Sequence, residues 1–223
     1  MTHRGMNSKE IIAARAAKEF KDGDVVNLGI GLPALAANFT PPGVSLILHS
    51  ENGMIGMGPA PEPGTEDADL VNAGGRPVTV QTGGVFLDIC ESFGIMRSGR
   101  LDATVLGALE VDELGNLASW IVPGGMVSGM GGAMDLAVGA KKVIVAMLHT
   151  QNNRPKIRTR CSLPLTAAGV VKTIITEMGV MEVTPPGLAL TEIHPDYSVE
   201  QVQAVTEARL IISPDLKPME WDG

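Results

Sequence analysis

Short apolar runs that stop at glycine set the terms for this chain. Val25-Val26-Asn27-Leu28 stops at Gly29-Ile30-Gly31-Leu32-Pro33, and Val44 to Leu48 leads into Ser50-Glu51-Asn52-Gly53-Met54-Ile55-Gly56-Met57-Gly58-Pro59. Mainly apolar runs of four or five residues are too short for a helix and suit a strand buried on both faces. Glycine permits φ > 0 and lets a backbone come close to a ligand, and ligands of open α/β sheets lie just beyond strand carboxyl ends. The pattern predicts an α/β fold, an open and mostly parallel sheet flanked by helices. No fixed-period repeat or long linker divides the 223 residues, so 1–223 reads as one domain, with 1–7 as a loose leader.

The net charge of −8 argues against nucleic acid as a partner, which requires a basic face. It does not exclude a small anionic ligand, because a local positive pocket can sit in an acidic protein. Met1 to Lys9 is polar and carries no secretory pattern, and no apolar run approaches the ~20 residues of a membrane span. A cytoplasmic protein without membrane contact is expected, with Cys90 and Cys161 as buried free thiols. Aromatic residues make up only 3%, so the core must be aliphatic and methionine-rich.

Along the chain, Ser8 to Phe20 reads as a helix capped by Asn7 or Ser8. A helix starts at Pro33, and another spans Phe86 to Arg97 with Phe86, Ile89, Cys90, Phe93 and Met96 on one inward stripe. Leu101 to Leu106 and Val143 to Leu148 are strands, and Leu109 to Trp120 is a hairpin around Gly115-Asn116. The glycine-rich stretch from Pro123 runs into a helix start near Gly131-Gly132-Ala133. Strands at Lys172 to Thr176, Val180 to Val183 and Leu188 to Ile193 precede a helix from Ser198 to Ala208 and a closing strand at Leu210.

The most singular residue is Glu51, a carboxylate at a strand end followed by glycines 53, 56 and 58. It suits a nucleophile, and it equally suits a turn cap. Gly29-x-Gly31-x-x-Ala34 with an acid about 20 residues on fits a dinucleotide fingerprint, a backbone cradle for another anion, or a plain βα turn. His49 and His149 both follow apolar strands, where histidines are often structural. The histidines form no HxH or HExxH pair, so no metal is expected.

Taken together, Asn27-Leu-Gly-Ile-Gly-Leu-Pro33, Ser50-Glu-Asn-Gly-Met-Ile-Gly-Met-Gly-Pro59, Asp69-Leu-Val-Asn-Ala-Gly74, Gly129-Met-Gly-Gly-Ala-Met-Asp-Leu136 and Cys161-Ser-Leu-Pro-Leu-Thr166 resemble the family I CoA-transferases. The resemblance is to the B (beta) subunit of the 3-oxoacid CoA-transferase type and covers nearly the whole chain. It implies a NagB/RpiA/CoA-transferase-like fold and Glu51 as the catalytic glutamate. It implies that Gly131 and Gly132 lie along the reacting thioester and serve its oxyanion. It implies CoA contacts at Asn27, Gly29, Gly31, Asn52 and Gly53, and at Gly75 and Arg76. Several members carry lysine where this chain has Gly75 and Gly125, and Arg76 supplies a positive charge beside the first. No tightly bound cofactor is implied, because coenzyme A is a substrate.

The resemblance also implies a companion alpha subunit, in an α2β2 assembly, carrying a Gly-Gly-Phe-Gly type loop that this chain lacks. The implied chemistry is ping-pong transfer of CoA between acids such as acetoacetate, acetate, butyrate and succinate through a glutamyl-CoA thioester. An acyl-CoA hydrolase, a dinucleotide-binding oxidoreductase and a non-catalytic partner chain are the alternatives.

Overall fold

A computed structural model describes residues 5–125, 127 and 129–221. The described chain opens with helix α1 (Ser8–Ala17), then strand β1 (Val25–Leu28) and a 3-10 helix (Pro33–Phe39). Strands β2 (Ile47–Ser50), β3 (Met54–Met57) and β4 (Val80–Phe86) are followed by α2 (Ile89–Arg97) and β5 (Ala103–Leu106). A small hairpin, β6 (Glu110–Asp112) and β7 (Leu117–Ala118), precedes α3 (Ala133–Gly139) and β8 (Lys142–Ala146). Three two-residue strands follow, β9 (Thr150–Gln151), β10 (Arg154–Pro155) and β11 (Ile157–Arg158). The chain closes with β12 (Thr173–Thr176), β13 (Gly179–Thr184), β14 (Gly187–Ile193), α4 (Val199–Ala204) and β15 (Leu210–Pro218).

Ten strands form one sheet in the order β15-β14-β13-β12-β8-β5-β1-β2-β3-β4. Its middle, from β12 to β2, is parallel throughout. Antiparallel hairpins extend it on both sides, β2-β3-β4 at one and β12-β13-β14 at the other. The mostly parallel α/β architecture expected from the sequence is present, with a larger antiparallel share than the apolar runs suggested. Residues on opposite sides of a strand feed two cores, as a period of two requires. Val143, Val145, Ile174 and Met181 join Leu136 and Val202 on one face. Ile144, Ala146, Ile175 and Val180 join Ile12, Ala16 and Phe20 on the other. Both faces of the middle strands are covered, which is why Val143 to Ala146 reads as an unbroken apolar run.

Local chemistry sets the element ends. Asn7 caps α1 by accepting from the Lys9 and Glu10 amides, and Glu10 accepts from Asn7 N in return, so the expected leader gives way to structure by Asn7. Residues 1–4 of that leader lie outside the described residues. The helix stops at Ala17 rather than Phe20, although Phe20 still packs into the core. The helix expected from Pro33 is a 3-10 helix, and the one expected from Ser198 ends at Ala204.

The helix expected from Phe86 starts three residues later. Phe86 completes β4, and Asp88 caps α2 by accepting from Glu91 N at 2.9 Å. Its inward side carries Ser92 and Met96, while Phe86, Ile89 and Cys90 are exposed. The inward stripe is therefore corrected, and so is the expectation of a buried Cys90 thiol. Cys161 is half-buried, and burial together with Asp112 and Glu110 pushes its thiol up to about 12. Among the described residues no helix is long and apolar enough to cross a membrane.

Candidate active site

Strand β1 pairs with β2 on one side and β5 on the other. The chain runs on from β1 to β2 on one side and from the neighbouring β5 to β8 on the other, so the ends of β1 and β5 form a topological switch point, where open α/β sheets hold their ligands. Asn27 and Leu28 end β1 there. Glu51 follows β2 directly, in the three-residue turn Glu51-Asn52-Gly53 that joins β2 to β3 in a hairpin. The sequence suggested a loop after a buried strand; the structure makes it a tight hairpin turn, which fixes Glu51 more rigidly.

Parallel register aligns Asn27 with His49 on β2 and with Thr104 on β5. All three are buried in the sheet. Asn27 Nδ2 donates to Glu51 Oε2 at 3.0 Å and lies 3.2 Å from both His49 Nδ1 and the His49 carbonyl oxygen. His49 Nε2 lies 3.0 Å from Ser92 Oγ, and Ser92 Oγ donates to the Glu51 carbonyl oxygen at 2.9 Å. These directions fix the tautomer. Ser92 spends its proton on Glu51, so it accepts from His49 Nε2–H, and the bare Nδ1 accepts from Asn27. Burial lowers the His49 pKa against the opposing pull of the Glu51 carboxylate, which keeps the ring neutral. Asn27 Oδ1 and Thr104 Oγ1 are buried without a hydrogen-bond partner among the described residues.

The glycines hold this arrangement together. Gly53 has φ +120°, and a Cβ there would meet Leu87 O at 2.3 Å. Leu87 N donates to Gly53 O at 2.9 Å, so the turn is pinned to the end of β4. Gly132 N-caps α3 and packs on Glu51, where a Cβ would stand 3.3 Å from Glu51 Cγ. Gly131 precedes it at φ +52°. Gly29 N donates to Val105 O at 2.8 Å, and Gly31 turns the loop at φ +86°.

The 72–76 loop docks on the same turn. Ala73 N donates to Ser50 Oγ at 3.1 Å, and Asn52 Nδ2 donates to Val71 O at 2.7 Å. Gly74 packs on Ile30 of the 29–31 loop. Gly75, at φ +71°, turns the chain so that Arg76 emerges exposed. The Arg76 side chain makes no ion pair among the described residues. Glu51, Asn27, Asn52, Gly53 and Gly132 are thus brought into contact with one another or with immediate neighbours, and the 29–31 and 72–76 loops flank them.

Weighed from the sequence, His49 reads as structural, and Ser92 is not singled out. His49 alternates with Leu48 on β2, which places it on the Asn27 face, but register with Asn27 is a tertiary fact. Ser92 carries no linear signal beyond being a small polar residue on the buried side of α2. His149 does not join them: it lies after β8, three strands away, bonded to Thr176 and Thr206. Two cavities of about 550 and 600 Å³ are lined by other residues and do not include Glu51. No group of three or more His, Cys, Asp or Glu side chains arranged to hold a metal occurs among the described residues.

Residues 9–204 match the family model described as coenzyme A transferase. The chain belongs to the coenzyme A transferase family. The acetate CoA-transferase beta chain of Escherichia coli K12 is 48% identical over 97% of this chain and 100% of its own length. The mitochondrial succinyl-CoA:3-ketoacid coenzyme A transferase 2A of Mus musculus is 47% identical over 96% of this chain and 42% of its own. Among solved structures, the apoenzyme of the acyl-CoA transferase YdiF from E. coli O157:H7 superposes with a TM-score of 0.78 at 25% identity, over 96% of this chain and 44% of that one. This CoA-transferase chain is a beta-type member of an enzyme family of the transferase class. Its Gly29-x-Gly31 loop opens a 3-10 helix, not the α-helix that a dinucleotide fingerprint needs.

Proposed function

We propose that the chain is the beta-type half of a CoA-transferase that moves CoA between an acyl-CoA and a carboxylic acid through a thioester on Glu51. One observation carries the reading: Glu51 stands beside the switch point of the sheet, with its carboxylate held by the amide of Asn27 on β1. Transfer between two carboxylates conserves the thioester, so a carboxylate relay needs no ATP. The Glu51 carboxylate oxygen adds to the acyl-CoA carbonyl, and the tetrahedral oxyanion collapses with loss of CoA thiolate to give an acyl-glutamyl anhydride. The thiolate then adds to the glutamyl carbonyl and expels the first acid as its carboxylate. The acceptor acid runs the same steps backwards, which gives ping-pong kinetics.

Gly132 packs on Glu51 without a side chain in the way, and the N–H groups of Gly131 and Gly132 are the candidate donors to the oxyanions; one such donor is typically worth ~3–4 kcal/mol of barrier. Asn27, Gly29, Gly31, Asn52 and Gly53 line the approach of the CoA thiol end. Gly75 and the unpaired Arg76 suit a CoA phosphate. No tightly bound cofactor takes part.

The substrates are short-chain or 3-oxo acids of the acetate and acetoacetate kind, in keeping with the named activities of the relatives. The catalytic unit includes an alpha-type companion in an α2β2 assembly. The mouse relative devotes 42% of its length to the matching part, and Ile30, Phe86, Ile89 and Met134 are exposed on the elements around the Glu51 turn. The test is mass spectrometry of the Glu51 peptide. The chain is assembled with the alpha-type companion of the same genome, treated with acetoacetyl-CoA, and trapped with borohydride or hydroxylamine. A modification confined to Glu51 supports the reading, and its absence in an assembly that binds CoA overturns it. CoA release that is independent of acceptor acid assigns hydrolysis instead.

A further inference from the structure

The hydrogen bonds around Glu51 form a closed circuit. Starting at the carboxylate, the chain of contacts runs through Asn27 Nδ2, across the His49 ring from Nδ1 to Nε2, through Ser92 Oγ, and back to the carbonyl oxygen of Glu51 itself. Three of its members are buried to within 1% of complete, and they come from β1, β2 and α2. A side chain thus has its carboxylate and its own main chain tied to one rigid path.

We propose that His49 and Ser92 are positioning residues for the Glu51 nucleophile, acting through Asn27 on the carboxylate and through the Glu51 carbonyl on the turn. This rests on reading Glu51 as the nucleophile. The circuit carries the inference because each link constrains the next. Asn27 has one carboxamide to aim at both Glu51 and His49. With Nδ1 of His49 as acceptor, the NH2 of Asn27 must face the carboxylate, and the opposite amide orientation would set Oδ1 against it. The acceptor at Nδ1 requires the proton at Nε2, and Ser92 is the group that takes that proton in a hydrogen bond.

The same circuit closes on the turn. Glu51 follows the last residue of β2, so its carbonyl has no ladder partner, and Ser92 donates to it from α2. A nucleophile must reach its carbonyl within a few tenths of an ångström, and a misplacement of 1 Å can cost about 100-fold in rate. A purely structural role would lower stability and leave the rate per folded site unchanged.

The test uses the assembled enzyme with Ser92→Ala, which removes the link to the Glu51 carbonyl and leaves Nε2–H without its acceptor. The rates are the steady-state kcat and the single-turnover rate of adduct formation on Glu51, both referred to sites titrated by CoA binding. The expected result is a fall of about 10- to 100-fold in both rates, with KM for acyl-CoA and Kd for CoA within twofold. His49→Phe keeps ring volume, removes both nitrogen functions and gives a comparable fall. The double variant falls no further than the worse single, because both substitutions cut one path. If His49→Phe fails to assemble, Ser92→Ala carries the test alone. A kcat within twofold of the parent enzyme, a loss confined to KM, or losses that multiply in the double variant each overturn the proposal. A parent enzyme that forms no adduct on Glu51 removes the underlying reading instead, so the two failures are separable.

Discussion

Gly132 and Glu51 are packed so closely that a Cβ on Gly132 would stand 3.3 Å from Glu51 Cγ and 3.6 Å from its Cβ. The same Cβ would meet Met96 Cε at 3.2 Å. At φ −81° Gly132 has a backbone that alanine tolerates, so Gly132→Ala strains packing and not the chain. Met96 is fully buried, which leaves the half-exposed Glu51 as the side that yields. Gly132→Ala should therefore lower kcat about 10- to 100-fold while the thermal midpoint moves by only a few degrees. Steady-state kinetics beside a melting curve check it; a large melting shift with unchanged kcat would reverse the assignment of what gives way.

Glu51→Gln keeps size and removes the nucleophilic charge. Loss of at least about 1000-fold in turnover is expected, the scale seen when a covalent nucleophile is deleted. Glu51→Asp keeps the charge on an arm one methylene shorter, moves the carboxylate away from Asn27 Nδ2, and should cost about 100-fold. Rapid-quench measurement of adduct formation separates the two, since the Asp enzyme should still form an adduct slowly and the Gln enzyme none.

Which parts of this arrangement were legible beforehand follows from what each residue needs. The middle strands were visible because burial on both faces leaves an uninterrupted apolar run, as in Val143 to Ala146. Glu51 and the glycines at 53 and 132 were visible because tight turns and close approaches admit few other residues. His49 and Ser92 were not, because each is an ordinary residue whose role exists only once β1, β2 and α2 are side by side. The outward placement of Ile89 and Cys90 was missed for a related reason: helical periodicity says which residues share a face, but not whether a neighbour covers that face. The hairpin at Glu51 was hidden because Met54 to Met57 has no alternation to distinguish it from loop.

His149 should set the acid limit of stability. Burial lowers its pKa to about 4, and both ring nitrogens are engaged by threonine hydroxyls. A histidine depressed in the folded state favours folding above its unfolded pKa of about 6.5 and loses that contribution as pH falls towards 4. The loss over that window is about 3 kcal/mol. Urea unfolding at pH 7.5, 5.5 and 4 should show the midpoint falling, and NMR titration should find the His149 ring neutral at pH 5. A ring that titrates near 6.5 would contradict the geometry.

Arg15 and Glu192 form a buried bidentate pair, with Nε to Oε2 at 2.6 Å and Nη2 to Oε1 at 2.9 Å, tying α1 to β14. Arg15 Nη1 also bonds Glu19 Oε1 at 2.6 Å, so removing Arg15 takes a partner from two acids and leaves Glu192 with the exposed Lys217 at 3.3 Å and Glu19 with Lys142. Arg15→Met should cost about 3–5 kcal/mol. Arg15→Met combined with Glu192→Leu should recover part of that, because two packed apolar side chains replace two desolvated charges while Glu19 keeps Lys142. Denaturant unfolding of the single and double variants checks it, with non-additivity as the signature.

Asn27→Asp turns the donor on Glu51 Oε2 into a second carboxylate at the same place. The two groups would stand about 3 Å apart at a buried strand end, and like charges at that range do not both ionise readily. The pair should then share a proton that a lone carboxylate would not hold at the same pH. A nucleophilic carboxylate must be ionised, so the acidic limb of the kcat/KM profile should move upward by a unit or more. The plateau should also fall, because the residue that aimed Oε2 is now a competitor for the same proton. Asn27→Ala removes the donor without adding charge, and its profile should fall in height with the limb moving far less than in Asn27→Asp. The pair of profiles distinguishes an electrostatic role for residue 27 from simple packing, which would give both variants the same shape.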